Sequence, residues 1–127
     1  MPFDFLPLPA EPADSVLLTK AAKGLETYGH ATGNLQTLDG RNCLFGAIAR
    51  AMGINLQGGY TDNYVWETHQ TEFDRLARLM SFLDANHGVN WNDKHCKSSF
   101  EAQERLLSGA FNARELAICQ AEENAYA

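Results

Sequence analysis

Apolar positions recur at helical spacing along most of this chain. Between Asp14 and Tyr28, the residues Leu17, Ala21, Leu25 and Tyr28 share one stripe, with Asp14 or Ser15 placed to cap the start and Gly29 to end the helix. Leu44–Met52 predicts a second helix, closed by Gly53 and rich in small residues at Gly46, Ala47, Ala49 and Ala51. Small residues let neighbours approach closely, so this is expected to be the central helix, buried on most sides. The longest helical pattern runs from about Tyr64 to Asn86, with Phe73, Leu76, Ala77, Leu79, Met80 and Leu83 on its apolar face and His87-Gly88 after it. Its start is open between Asp62, Thr68 and Thr71. Ser98-x-x-Glu101 is a capping box ahead of a helix carrying Phe100, Leu106 and Leu107. Gly109 is expected to weaken or break that helix. Asn112 then restarts a last one through about Glu123, with Leu116, Ala117 and Cys119 or Gln120 facing inward.

Two stretches lack this period. His30–Thr37 and Arg41–Cys43 flank Leu38-Asp39-Gly40, and Asp-Gly between short extended runs signals a hairpin. Val89–Asp93 reads as a short extended segment carrying Trp91. The expected fold class is therefore α+β: a mostly helical single domain over 14–124, with four to five helices and one short β-hairpin or small sheet. Ahead of it, residues 1–13 hold all four prolines, at 2, 7, 9 and 12, and read as an extended arm. Phe3, Phe5, Leu6 and Leu8 give that arm enough apolar surface to dock on the domain or on a second copy, and docking on a second copy would make a homo-oligomer through the arm.

Composition narrows the function classes. At 127 residues, 45% apolar and 20% charged, the chain fits one globular domain. A net charge of −6 argues against a nucleic-acid partner, since a phosphate-binding surface carries a basic excess. No apolar stretch approaches the roughly 20 residues of a membrane span, and Met1–Pro12 has acid and prolines where a signal peptide would be basic and apolar. The three cysteines, at 43, 96 and 119, form no CxxC pair. Free thiols in a reducing compartment follow, and a cytoplasmic location is expected.

The segment Asp39–Gly53 concentrates the candidate chemistry, because it sets Cys43 at the junction of a turn and a helix N-terminus. The helix end charge there favours a thiolate. The string Asp39-Gly40-Arg41-Asn42-Cys43-Leu44-Phe45 also resembles the active-site segment of the ovarian-tumour-type deubiquitinating cysteine proteases, with Arg41 as an insertion. The resemblance implies a small cysteine hydrolase with Cys43 as nucleophile, His95 as base and Asp39 or Asp93 orienting it. Neither His87-Gly88 nor His95-Cys96 has the aromatic that follows the family's histidine. The competing and favoured reading makes Cys43 a small buried hydrophobe in a packing motif.

A longer resemblance runs over roughly residues 14–110. Its elements are Tyr28-Gly29-His30-Ala31-Thr32-Gly33, then Gly40-Arg41-Asn42-Cys43-Leu44-Phe45-Gly46-Ala47-Ile48, then Trp91-Asn92-Asp93 before a Ser-capped helix. In this order they resemble a small family of unknown function from actinobacteria and their phages. The resemblance implies such an origin and a small α+β fold, and it implies no reaction. Gly40, Cys43, Gly46, Ala47, Trp91, Asn92 and Asp93 form the shared structural motif. The bland account gives Gly46 and Ala47 to tight packing, Asn92 and Asp93 to a turn, and Trp91 to core volume. The alternative is a site built from Cys43, Asn92, Asp93 and His95, or a pocket near Cys43 and Trp91 that captures a small molecule such as a nucleotide signal.

His87, Asp93, His95 and Cys96 lie close in sequence, but their spacing fits no zinc framework, so no metal and no cofactor are expected. His30 and His69 read as isolated surface residues. Tyr60, Tyr64 and Trp66 cluster around a Gly-rich loop and are the candidate anchors for a protein partner. The function expected from all of this is non-enzymatic: a small phage-encoded accessory protein that binds a host or phage protein.

Overall fold

The computed structural model describes residues 13–33, 36–54, 70–83, 92–94 and 96–125. The Pro-rich arm over 1–12, the aromatic cluster Tyr60, Tyr64 and Trp66, and Trp91, His69, His87 and His95 lie outside the described residues. Among the described residues four helices carry the fold: α1 (Asp14–Tyr28), α2 (Leu44–Ala51), α3 (Gln70–Ser81) and α4 (Ser99–Ala125). Residues 92–94 are also helical.

Helix α1 buries Leu17, Leu18, Ala21, Ala22 and Leu25, and this face packs against both α2 and α4. Its N-cap is Ala13, which has no capping side chain. Asp14, expected as a cap, instead reaches to α3, where its carboxylate accepts from Arg78 Nε at 3.1 Å, Arg78 Nη2 at 3.0 Å and Arg75 Nη2 at 3.3 Å. Partial burial works to raise the Asp14 carboxyl, but hydrogen bonds and charge from Arg78 and Arg75 hold it below the ordinary carboxylate range. The helix ends as expected at Gly29, whose φ of 98° suits glycine and whose N–H reaches Leu25 O at 2.9 Å.

Helix α2 is the buried centre that its small residues predict. Leu44, Gly46, Ala47, Ile48, Ala49 and Ala51 are all buried, leaving Phe45 and Arg50 at the margin. Arg50 stacks over the Tyr28 ring at 4.2 Å and donates to Gly40 O at 2.8 Å. Helix α3 buries Phe73, Leu76 and Leu79, with Leu83 buried just beyond its end. Ala77, expected on that face, is exposed.

The α+β expectation is overturned. Among the described residues there is no sheet and no hairpin, and the protein is mostly helical. The Asp39-Gly40 turn does form, with Thr37 N–H donating to Arg41 O at 2.8 Å and Gly40 N–H to Thr37 O at 3.0 Å. Its flanks reach only two isolated bridges, His30 with Asn42 and Gln36 with Asn42. No ladder grows because Asn42 already spends its N–H on Gly29 O and its carbonyl on the Ala31 N–H, and α2 begins two residues later. The extended segment expected over Val89–Asp93 is likewise corrected at Asn92 and Asp93, which are helical.

Helix α4 starts at the predicted capping box. Glu101 N–H donates to Ser98 Oγ at 3.1 Å, and the Glu101 carboxylate accepts from Lys97 N–H at 3.1 Å. It then runs unbroken through Gly109, contrary to the expected interruption. Gly109 is buried and serves as a point of approach: a Cβ there would lie 2.4 Å from Leu83 Cδ2, 3.5 Å from Phe82 O and 3.6 Å from Leu18 Cδ1. Asn112, expected to restart a helix, lies within this one and donates from Nδ2 to Phe82 O at 3.1 Å. Inward-facing residues end at Ala113. Leu116, Ala117, Cys119 and Gln120 are exposed, so the expected inner face of a last helix does not exist.

The two helical glycines predict opposite outcomes. Gly24 in α1 has open space where a Cβ would stand, so Gly24→Ala should stabilise the protein by about 0.5–1 kcal/mol. Gly109→Val should destabilise it by roughly 2 kcal/mol or more through overpacking against Leu83. Urea denaturation of both variants checks the pair. Equal or inverted effects would contradict the packing described for Gly109.

Candidate functional site

The residues singled out around Cys43 meet at one junction, and its centre is Asn92. This side chain is fully buried. Its Oδ1 accepts from the Leu44 N–H at 3.1 Å and lies 2.5 Å from His30 Nε2. Its Nδ2 donates to Ala31 O at 3.0 Å and to Asp93 Oδ1 at 2.9 Å. Asp93 Oδ1 also accepts from the Gly33 N–H at 2.9 Å. Asn92 and Asp93 therefore hold the segment after α1 against the start of α2, across a separation of 48 to 62 residues.

Cys43 is the N-cap of α2. Its backbone is extended, and its sulfur accepts from the Gly46 N–H at 3.3 Å. The first amides of a helix have no partner within it, and here Asn92 Oδ1 takes that of Leu44 while Cys43 Sγ takes that of Gly46. Gly46 in turn gives its carbonyl to Gln36 Nε2 at 3.0 Å, and the same nitrogen reaches Ile54 O at 3.3 Å. Gln36 is a buried polar residue.

The helix N-terminus does not make Cys43 a thiolate. Burial pushes its thiol up to about 11, outweighing the opposing amide hydrogen bonds of Gly46 and Phe45, and the Asp93 charge adds to the rise. Desolvation wins because the side chain is only 1% exposed. Asp39, the candidate orienting carboxylate, faces away on the exposed turn. The Thr37 hydroxyl and the Arg41 guanidinium hold it, and both keep its carboxyl below the ordinary range. Asp93 is committed to Gly33 and Asn92 as described. The proposed base, His95, lies outside the described residues.

Among the described residues no three His, Cys, Asp or Glu side chains converge to hold a metal ion. Cys96 is half-buried and its thiol donates to Ser98 O at 3.2 Å, while Cys119 is exposed. A hollow of ≈ 290 Å³ between α1 and α2 is lined by Lys20, Lys23, Tyr28, Asn42 and Arg50 among others.

Three contributors escape sequence reasoning. His30, expected as an isolated surface residue, is half-buried against Asn92. Gln36 carries no pattern that marks it as a buried bridge. The third is a surface: α4 exposes Phe100, Leu107, Phe111 and Ile118 at 67%, 48%, 62% and 42%. Their spacing of 7, 4 and 7 is visible in the sequence, but only the burial of the opposite face shows that they point outward.

The buried thiol makes a prediction about stability. In the unfolded chain Cys43 ionises from its ordinary 9.0, whereas in the folded protein it stays protonated to about 11. The folded pKa is the higher one, so this contribution, on the order of 2 kcal/mol, is complete below about pH 9 and lost as pH rises toward 11. Denaturation curves of Cys43→Ala across that window should show a shallower decline than the wild type. In the native protein at pH 7.5, iodoacetamide should label Cys119 and leave Cys43 unmodified, as mass spectrometry would read. Labelling of Cys43 as fast as Cys119 would contradict the assignment of Cys43 as a cap.

No curated protein and no solved structure matches the chain. No described helix is long and apolar enough to cross a membrane. Residues 9–110 match a family of unknown function, DUF6197. That span takes in α1, α2, α3, the Cys43–Asn92 junction and α4 as far as Ala110, and leaves the rest of α4 outside. On this match, the chain belongs to the family of unknown function DUF6197.

Proposed function

We propose that this chain is a small accessory protein, encoded by a phage of an actinobacterial host and working in the host cytoplasm, that acts by binding a host or phage protein rather than by catalysis. The observation that carries this reading is the outward face of α4. Of the five large apolar side chains that α4 exposes, four, Phe100, Leu107, Phe111 and Ile118, share one line on a helix whose other face is buried against α1. These side chains are exposed on the face turned away from α1, and exposed apolar side chains gathered on one face mark contact sites. Aromatic anchors dominate binding energy at such sites, and Phe100 and Phe111 supply two.

The spent chemistry of the junction supports the same reading. Cys43 and Asn92 use their polar atoms to cap α2 and to bind loop backbone. Tyr60, Tyr64 and Trp66, outside the described residues, are proposed as further anchors on the strength of the sequence alone. The net charge of −6 suits a basic partner.

Phe111 is exposed, so Phe111→Glu should leave the helical fold intact, as far-UV circular dichroism would read. Immobilised wild-type protein should retain a discrete protein from host lysate, and the Phe111→Glu variant should retain about tenfold less or lower still. Retention of the same proteins at equal levels on both would overturn the assignment of this ridge.

A further inference from the structure

The exposed ridge of α4 is self-complementary. At about 100° per residue, Phe100, Leu107, Phe111 and Ile118 lie within roughly 20° of a single line, and the ridge runs roughly 27 Å. Glu104 and Arg114, both exposed, fill the two remaining positions of the same seam. The seam thus reads Phe100, Glu104, Leu107, Phe111, Arg114, Ile118, with the alternating spacing of four and three that coiled-coil helices use.

This order is symmetric about the level of residue 109. Reversed and superposed on itself, it sets Phe100 against Ile118, Glu104 against Arg114, and Leu107 against Phe111. Every layer is then either apolar against apolar or acid against base, and no like charges meet. We infer that α4 is a dimerisation element: the ridge of one copy packs antiparallel on the ridge of a second copy, with Glu104 of each facing Arg114 of the other. A two-fold contact requires just this property, since residue i must suit residue j and j must suit i.

Two neighbouring features fit that occupant. The ridge is bordered on the α1 side by a hollow of ≈ 810 Å³ lined by Val16, Lys20, Leu107, Ala110, Phe111 and Arg114 among others, which gives bulky side chains of a second copy a place to seat. Charge along this stretch is close to balanced, with Glu101, Glu104 and Glu115 against Arg105 and Arg114, although the whole chain carries −6. Two copies can therefore meet here without concentrating their net charge.

The inference rests on reading the ridge as a protein-contact surface and names its partner. With the ridge held by a second copy, the aromatic cluster Tyr60, Tyr64 and Trp66 carries the contact with the host or phage protein, and the loss of lysate capture in Phe111→Glu follows from loss of the dimer. Sedimentation equilibrium of the full chain tests it by mass, independently of any capture from lysate. The wild type should sediment as a species of twice 14.1 kDa. Phe111→Glu should raise the dimer dissociation constant by about 30-fold or more. Glu104→Arg and Arg114→Glu should each weaken the dimer by about fivefold, because each places like charges in two symmetry-related layers. The combined variant Glu104→Arg/Arg114→Glu should recover wild-type affinity, which a contact in any other register would not do.

A monomeric wild type at millimolar concentration would overturn the inference. So would a dimer indifferent to Phe111→Glu, or a double swap weaker than either single change. A monomer whose capture of a host protein still depends on Phe111 would sink the dimer and leave the proposed function standing. A restored dimer that captures nothing would do the reverse.

Discussion

The structure depends on how the N-terminus of α2 is closed. A helix of eight residues at the centre of a small core exposes its first amides to a dry interior, and each needs an acceptor. The chain supplies two, from Cys43 within the junction and from Asn92 far along the sequence. Asn92 then uses its remaining donor on Ala31 O and Asp93, so that one buried amide binds the backbone after α1, the start of α2 and residues 92–94. With no sheet among the described residues to satisfy these loops, side-chain amides do that work, and Gln36 repeats the device at Gly46 and Ile54.

This arrangement settles what kind of residue Cys43 is. A thiol at a helix N-terminus is reactive when the end charge acts on it in the open. Here the sulfur is enclosed, it accepts an amide hydrogen bond, and desolvation raises rather than lowers its ionisation. The polar groups beside it are tied to backbone. Packing also explains the two faces of α4. It lies close along α1, so its inner face uses small residues, Ala102, Gly109, Ala110 and Ala113, around a single Leu106. The other large apolar residues of this helix, Phe100, Leu107, Phe111, Leu116 and Ile118, are exposed.

The helices were legible because their signals are local. The Leu17–Leu25 stripe, the small residues of α2, the Ser98–Glu101 box and the stop at Gly29 are each written within a few positions. What failed depended on distant partners. Asp39-Gly40 makes a turn, but whether its flanks pair is decided by Asn42, whose backbone is taken by Gly29 and Ala31. Gly109 reads as a breaker by propensity, yet the approach of Leu83 makes a side chain there the greater cost. Asp14 reads as a cap and is drawn off by two arginines of α3. At the junction, the packing role of Cys43, Gly46 and Asn92 follows from the residues, while the part of His30 needed the 62-residue closure to appear. Periodicity turns Leu116 and Cys119 inward, yet both are exposed, because the buried face of α4 ends at Ala113.

Hydrogen exchange at the start of α2 tests the central claim most directly. Amides in the first turn of a helix normally exchange fast, having no partner inside the helix. The account places Leu44 N–H on Asn92 Oδ1 and Gly46 N–H on Cys43 Sγ in a buried setting. Native-state exchange followed by NMR should find both protected to nearly the free energy of global unfolding, and Asn92→Ala should release Leu44 selectively beyond any global loss. Exchange of Leu44 and Gly46 at the rate of open amides in the wild type would show that the junction is not the fixed point on which this fold turns.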